Sequence, residues 1–107
     1  MFRHVVMFNF KDGTTDEQKE AVRGALHRLP DLIPEIRTYR FGDDLRLRDD
    51  NFEFVVTADF DSVDDFVLYR DHPDHQKAIA EFIAPIAKAR AAAQFEWPAA
   101  LPTDLPG

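Results

Sequence analysis

Arg3-His4-Val5-Val6-Met7-Phe8-Asn9-Phe10 reads as a β-strand with two apolar faces. Valine and phenylalanine favour extended backbone, and Asp12-Gly13 ends the run. With a period of two, His4, Val6, Phe8 and Phe10 point one way and Val5 and Met7 the other. An antiparallel sheet with helices on one side and water on the other alternates apolar with polar residues. This strand does not alternate, so both of its faces are expected to be covered.

The next segments follow from the same kind of pattern. Thr15 with Gln18 makes a capping box, Asp16 and Glu17 suit the positive end of a helix, and Val22, Ala25, Leu26 and Leu29 repeat at helical spacing. A helix is predicted over about 15–28, with Pro30 and Pro34 following it. Ile36 to Gly42 reads as a second strand, and Asp43 to Asn51 as a charged, exposed connection. Glu53 to Phe60 is a third strand, with Phe54, Val56, Ala58 and Phe60 on one face and Val55 and Thr57 on the other. Asp61 or Ser62 caps a second helix carrying Val63, Phe66, Val67 and Tyr69. Pro73 suits a first helical position, so His72 lies near the N-cap of a new helical piece and His75 in its first turn. That piece carries Ile79, Phe82, Ile83 and Ile86. Ala91 to Trp97 reads as the last strand, with Ala93, Phe95 and Trp97 set against Ala92, Gln94 and Glu96.

The order is β-α-β-β-α-β, with the second helix in two pieces. This is an α+β, ferredoxin-like arrangement with a four-stranded antiparallel sheet. Two helices cover one face of such a sheet. The other is expected to meet a second copy of the chain, giving a homodimer through an isologous interface. Residues 1–97 form the domain, and 98–107, with Pro98, Pro102 and Pro106, a proline-rich tail.

Composition narrows the function. The 107 residues suffice for one domain, and 45% of them are apolar. Ten phenylalanines are more than one small core requires. The net charge of −7 argues against nucleic acid or an anionic membrane as partner. Arg40, Arg46 and Arg48 are too few, and too diluted by aspartate, to change that. No apolar run reaches the ~18 residues of a membrane span, and the start lacks the regions of a signal peptide. With no cysteine, disulfide and thiolate chemistry are out of reach, and a cytoplasmic location is expected.

Four histidines remain as the groups that titrate nearest pH 7. His72-Pro73-Asp74-His75 invites a metal reading, since residues three apart share a helix face. It lacks a His-Glu-x-x-His pattern and a third ligand beyond Asp71, Asp74 or the distant His4, so no metal is expected. The simpler reading is a proline-started helix with a capping histidine. His4 is either a satisfied core residue or an acid–base group. Its apolar neighbours would desolvate the ring and favour the neutral base. Tyr69 either caps the core or aims its hydroxyl into a pocket. His27, near the expected end of the first helix, reads as a structural cation at the negative terminus. The run Asp59, Asp61, Asp64, Asp65 reads as helix-capping rather than cation-binding. Gly-rich phosphate loops and Gly-x-Ser-x-Gly are absent.

Phe2-Arg3-His4-Val5-Val6-Met7-Phe8-Asn9-Phe10-Lys11-Asp12 resembles the opening of the stress-responsive dimeric α/β-barrel domain family. Leu29-Pro30, Ile33-Pro34-Glu35-Ile36, Phe41-Gly42, Ala58 to Val63 and Tyr69 to His75 continue the likeness in order, over about residues 2–97. The resemblance implies a ferredoxin-like fold whose sheet packs against its partner's to form a dimeric α+β barrel. The family includes a plant polyketide cyclase type, a cofactor-free intramolecular aldol catalyst. Its pocket residues fall on His4, Tyr69 and His75 here. By that likeness His75 is the general base, Tyr69 holds the substrate oxygen, and His4 orients or shares the proton. The implied activity is cofactor-independent cyclase or lyase chemistry on a carbonyl or polyketide-like compound. The alternatives are a non-catalytic ligand-binding or stress-response protein, and a relative of the cofactor-free monooxygenases or haem proteins of related barrels.

Overall fold

Local signals fix most element boundaries in the computed structural model, which describes residues 1–97. Strand β1 spans Phe2–Phe10. Helix α1, Asp16–Leu32, starts with the capping box. The Thr15 side chain accepts from the Gln18 N–H at 3.1 Å, and the Gln18 side chain accepts from the Thr15 N–H at 2.8 Å. The helix does not stop at residue 28 but runs through Pro30. A proline so near the end removes one donor only, and the Ile33 N–H still bonds the Leu29 carbonyl at 2.9 Å. Burial of Leu29 and Ile33 outweighs that loss. His27 therefore lies short of the last turn, which carries no basic side chain. It stands edge-on to Phe41, ring centroids 6.4 Å apart, and is not the terminal cation expected.

Strand β2 spans Thr38–Asp43 and β3 Phe54–Phe60. Helix α2, Val63–Asp71, is capped by Ser62, whose hydroxyl accepts from the Asp65 N–H at 3.1 Å. Pro73 opens α3, Pro73–Ala78, and His72 caps it: its Nδ1 accepts from the Asp74 N–H at 3.1 Å. The chain then widens into a π-helical turn, Ile79–Ile83, closed by the Ala84 N–H on the Ile79 carbonyl at 2.8 Å. Strand β4 spans Ala87–Glu96, starting four residues earlier than its sequence suggests. Alanine is the best helix former, so local preference hides the start of this strand. Pairing with the free edge of β1 reveals it, from Phe10↔Ala87 to Phe2↔Glu96.

The sheet order is β2-β3-β1-β4, with every neighbouring pair antiparallel. Cross-strand partners share a face, so the registers define rows. One row runs Tyr39, Ala58, His4, Gln94, and the next Phe41, Val56, Val6, Ala92. These rows face the helices. On the opposite face run Thr38, Asp59, Arg3, Phe95, then Arg40, Thr57, Val5, Ala93.

The core lies between the helices and the first set of rows, where Val22, Ala25, Leu26 and Leu29 of α1 are buried. Two aromatic groups form there. Phe8, Phe10, Phe41 and Phe54 meet at one end, with Phe8 and Phe54 centroids 5.2 Å apart. Phe2, Phe60 and Phe66 meet at the other, with Phe2 and Phe66 centroids 5.0 Å apart. Among the strand phenylalanines only Phe95 sits on the face away from the helices, and it is half exposed. The abundance of phenylalanine therefore serves the helix side. No helix among the described residues is long and apolar enough to cross a membrane.

Candidate active site

A cavity of about 520 Å³ opens on the helix face, lined by Phe8 from one aromatic group and Phe66 from the other. Its floor is the sheet: His4 and Val6 of β1, Val56 of β3, Tyr39 of β2, Arg90 and Gln94 of β4. Its walls are Leu26 of α1, Tyr69 and Arg70 of α2, His75 and Gln76 of α3, and Ile79 and Ile83 of the π turn. The small Ala58 side chain, between Tyr39 and His4 in its row, leaves the floor low.

His4, Tyr69 and His75 all line this space. The Tyr69 ring lies 4.1 Å from the His75 ring and 6.4 Å from that of His4, centroid to centroid. His72 is the cap of α3 and does not line the cavity, so the two histidines of the His-Pro-Asp-His segment do separate jobs. Of the aspartates read as helix-capping, Asp59 and Asp61 instead form ion pairs, with Arg3 and Arg37, and Ser62 supplies the cap.

The hydrogen bonds set the histidine tautomers. His75 Nδ1 lies 3.0 Å from the Arg70 carbonyl, which can only accept, so Nδ1 carries the proton and Nε2 the lone pair. His4 Nδ1 lies 2.8 Å from Gln94 Nε2, an amide donor, so His4 accepts there and carries its proton on Nε2. One ring thus offers a base and the other an N–H. Both are neutral at pH 7. Burial pushes His4 down to about 4, helped by the Arg90 and His75 charges. Burial also lowers His75; its bond to the Arg70 carbonyl opposes the shift and the His72 charge adds to it.

Sequence reading does not single out Tyr39 or Gln94. Tyr39 Oη is 2.9 Å from Tyr69 Oη, and both rings are largely buried. Burial pushes the Tyr69 hydroxyl up to about 12, moderated by the Tyr39 hydrogen bond, and raises Tyr39 as well. Both therefore remain O–H donors at neutral pH. With Tyr39 donating to Tyr69, the Tyr69 proton is left for a ligand, and accepting a bond makes Tyr69 the stronger donor. The alternation Thr38, Tyr39, Arg40, Phe41 carries the signal for Tyr39, and Gln94 is the lone amide in a run of alanines.

The arrangement can take a proton at His75 Nε2, hold an oxygen at Tyr69, and offer a second N–H at His4, in apolar surroundings.

Comparison with known proteins agrees with the fold. The structure superposes on a dimeric ferredoxin-like protein of unknown function from Thermobifida fusca with a TM-score of 0.83, at 46% identity over 90% of each chain. Olivetolic acid cyclase of Cannabis sativa is 28% identical over 75 residues, 68% of this chain and 74% of that protein. The stress-response A/B barrel domain-containing protein HS1 of Arabidopsis thaliana is 24% identical over 88 residues, 80% and 81% of the two chains. The model of the stress responsive A/B barrel domain matches residues 2–97, and the chain belongs to that family.

Proposed function

We propose that this protein is a cofactor-independent acid–base catalyst acting on a small carbonyl compound, with His75 as general base. The observation that carries the proposal is the neutral His75, tied at Nδ1 to the Arg70 carbonyl and stacked 4.1 Å from Tyr69 at the wall of an apolar cavity. His75 Nε2 takes a proton from the carbon next to the carbonyl, and the C–H electron pair moves into an enolate. Tyr69, backed by Tyr39, donates to the developing oxyanion. Donors fixed in a water-poor site stabilise such charge better than water does. The enolate then either recovers the proton from His75 or adds to a second carbonyl of the same molecule. The likeness to olivetolic acid cyclase supports the cyclising version.

The test is proton–deuteron exchange at the α-carbon of phenylacetone and 1-phenylbutane-1,3-dione in D2O, followed by NMR. Exchange well above the buffer rate is expected, falling with His75→Ala at unchanged melting temperature. Exchange at the buffer rate, or equal exchange by the variant, overturns the proposal in favour of a ligand-binding role.

The same proposal includes a homodimer through the open sheet face. Val5, Met7 and Val55 there are half-buried in a single chain, Phe95 is half exposed, and the similar Thermobifida protein is dimeric. Sedimentation velocity at micromolar concentration should give a dimer; a monomer overturns this part. A cytoplasmic location completes the proposal, supported by the absence of cysteine.

A further inference from the structure

We infer that the substrate carries a carboxylate and that Arg90 binds it. The inference rests on the acid–base reading above and narrows it to a carboxylate-bearing carbonyl compound.

The chain is acidic, and most of its arginines are already matched. Arg3, Arg23, Arg37, Arg46, Arg48 and Arg70 each ion-pair with an aspartate or glutamate. Arg28, Arg40 and Arg90 have no such partner among the described residues. Of these, only Arg90 lines the cavity of His4, Tyr69 and His75. Arg40 belongs to the opposite sheet face. Arg28 lines a separate, smaller groove between α1 and α3, with Asp74 and Glu81 as acidic neighbours.

The register explains how Arg90 reaches the site. It pairs with Phe8, and along β4 it shares a face with Ala92 and Gln94. Ala92 between them adds no bulk, so the long arginine side chain and the His4–Gln94 pair border one space. An acidic residue at this place would neutralise the guanidinium, yet no carboxylate is among the cavity-lining residues. The remaining polar groups are neutral at pH 7, apart from Arg70, which Asp71 holds in a two-point contact.

A single unpaired guanidinium beside an otherwise neutral, largely apolar cavity matches a ligand with one negative charge. Its planar fork favours a carboxylate through two parallel N–H bonds. A phosphate dianion would leave one charge unmatched in a protein whose net charge is already −7. Binding the carboxylate at β4 would direct the other end of the ligand across the floor towards Tyr69 and His75. Arg90 is thus a specificity residue, distinct from the proton-transfer groups.

A matched pair of probes tests this: 3-phenylpropanoate and its neutral amide, 3-phenylpropanamide, titrated by calorimetry into the intact protein at low salt. The acid is expected to bind at least about tenfold tighter than the amide, the scale of a charge-assisted hydrogen bond. Arg90→Gln should bring the two affinities together by weakening the acid alone, and Arg90→Lys should restore part of the preference. Arg40→Gln, on the other face, should leave the preference intact. Equal binding of acid and amide, binding of neither, or a preference that survives Arg90→Gln overturns the inference. His75→Ala separates it from the catalytic proposal. The acid preference should persist in that variant, whereas α-carbon exchange is lost.

Discussion

The two faces of this sheet handle a buried ionisable group in opposite ways, one residue apart. On the helix face His4, 7% exposed, stands opposite Ala58 and is kept neutral by burial. On the open face Arg3 stands opposite Asp59, 2% exposed, whose charge is retained. Asp59 accepts two bonds from the Arg3 guanidinium, at 2.7 and 2.9 Å, one from Trp97 Nε1 at 3.0 Å, and one from the Thr38 hydroxyl. The Arg3 and Thr38 bonds and the Trp97 indole hold its carboxyl down at about 2 despite burial. Arg3 also lies over the Trp97 ring, 4.7 Å from its centroid. A saturated ion pair is fixed and has no free valence. A neutral histidine with one nitrogen engaged and one free can still exchange a proton. One face is therefore equipped for holding and the other for chemistry.

The largest effect should come from removing the free valence. His75→Ala is expected to lower α-carbon exchange by about 10²–10⁴-fold, the usual worth of a positioned base. Melting should stay nearly unchanged, because His75 is only partly buried. A parallel loss of stability would make His75 a structural residue and dissolve the contrast between the faces.

Acidification should expose the two faces in sequence. An unfolded histidine binds its proton near 6.5, whereas His4 in the fold does so only near 4, so the unfolded state takes up more protons between those values. Stability should therefore fall as pH drops from 6.5 towards 4, by roughly 3 kcal/mol from His4, with His75 acting in the same direction. Asp59 runs the other way in origin. Its folded value is depressed, so its contribution is present above about pH 4 and is lost as pH falls towards 2. Denaturant titrations from pH 7 to 3 read both, and His4→Gln should flatten the upper segment alone.

Breaking the pair on the open face should be costly without touching chemistry. Asp59→Asn is expected to destabilise the fold by about 2–3 kcal/mol, since it removes charge-assisted bonds and strands the Arg3 charge, which is partly solvated. Exchange per folded molecule should stay at the wild-type rate; a large drop would show that the faces are coupled. Smaller still is Tyr39→Phe, which leaves Tyr69 in place but unsupported. A loss of about tenfold in rate is expected, less than a directly contacting oxyanion donor is worth. The melting temperature should change little.

Much of this contrast is legible in the chain. The period-two pattern of β1 and β3 assigns the correct faces, and Thr15–Gln18, Ser62 and Pro73 mark their helix starts because each acts within a few residues. His4, Tyr69 and His75 could be named from their motifs, and the structure brings them to one cavity. What escapes depends on distant pairing. The alanines of β4 look helical until the edge of β1 recruits them, and Gln94 and Arg90 gain meaning only through their registers with His4 and Phe8. Tyr39 is likewise silent until β2 and β3 align it with Ala58. The run of α1 through Pro30 follows from burial of Leu29 and Ile33, which outweighs a local stop signal.

The wide turn at Ile79–Ile83 gives the chain a surplus residue that an ordinary helix would not accommodate. Each helical residue advances the side chains by about 100°, since 3.6 make a turn. Deleting a single alanine, Ala80 or Ala84, would tighten the turn and swing everything downstream by that angle before β4 begins. Ile83 would leave the cavity wall, and the strand bearing Arg90 and Gln94 would start out of step with β1. Length at this point is thus as strictly specified as identity elsewhere, and one codon in a stretch of small residues governs the phase of the whole site.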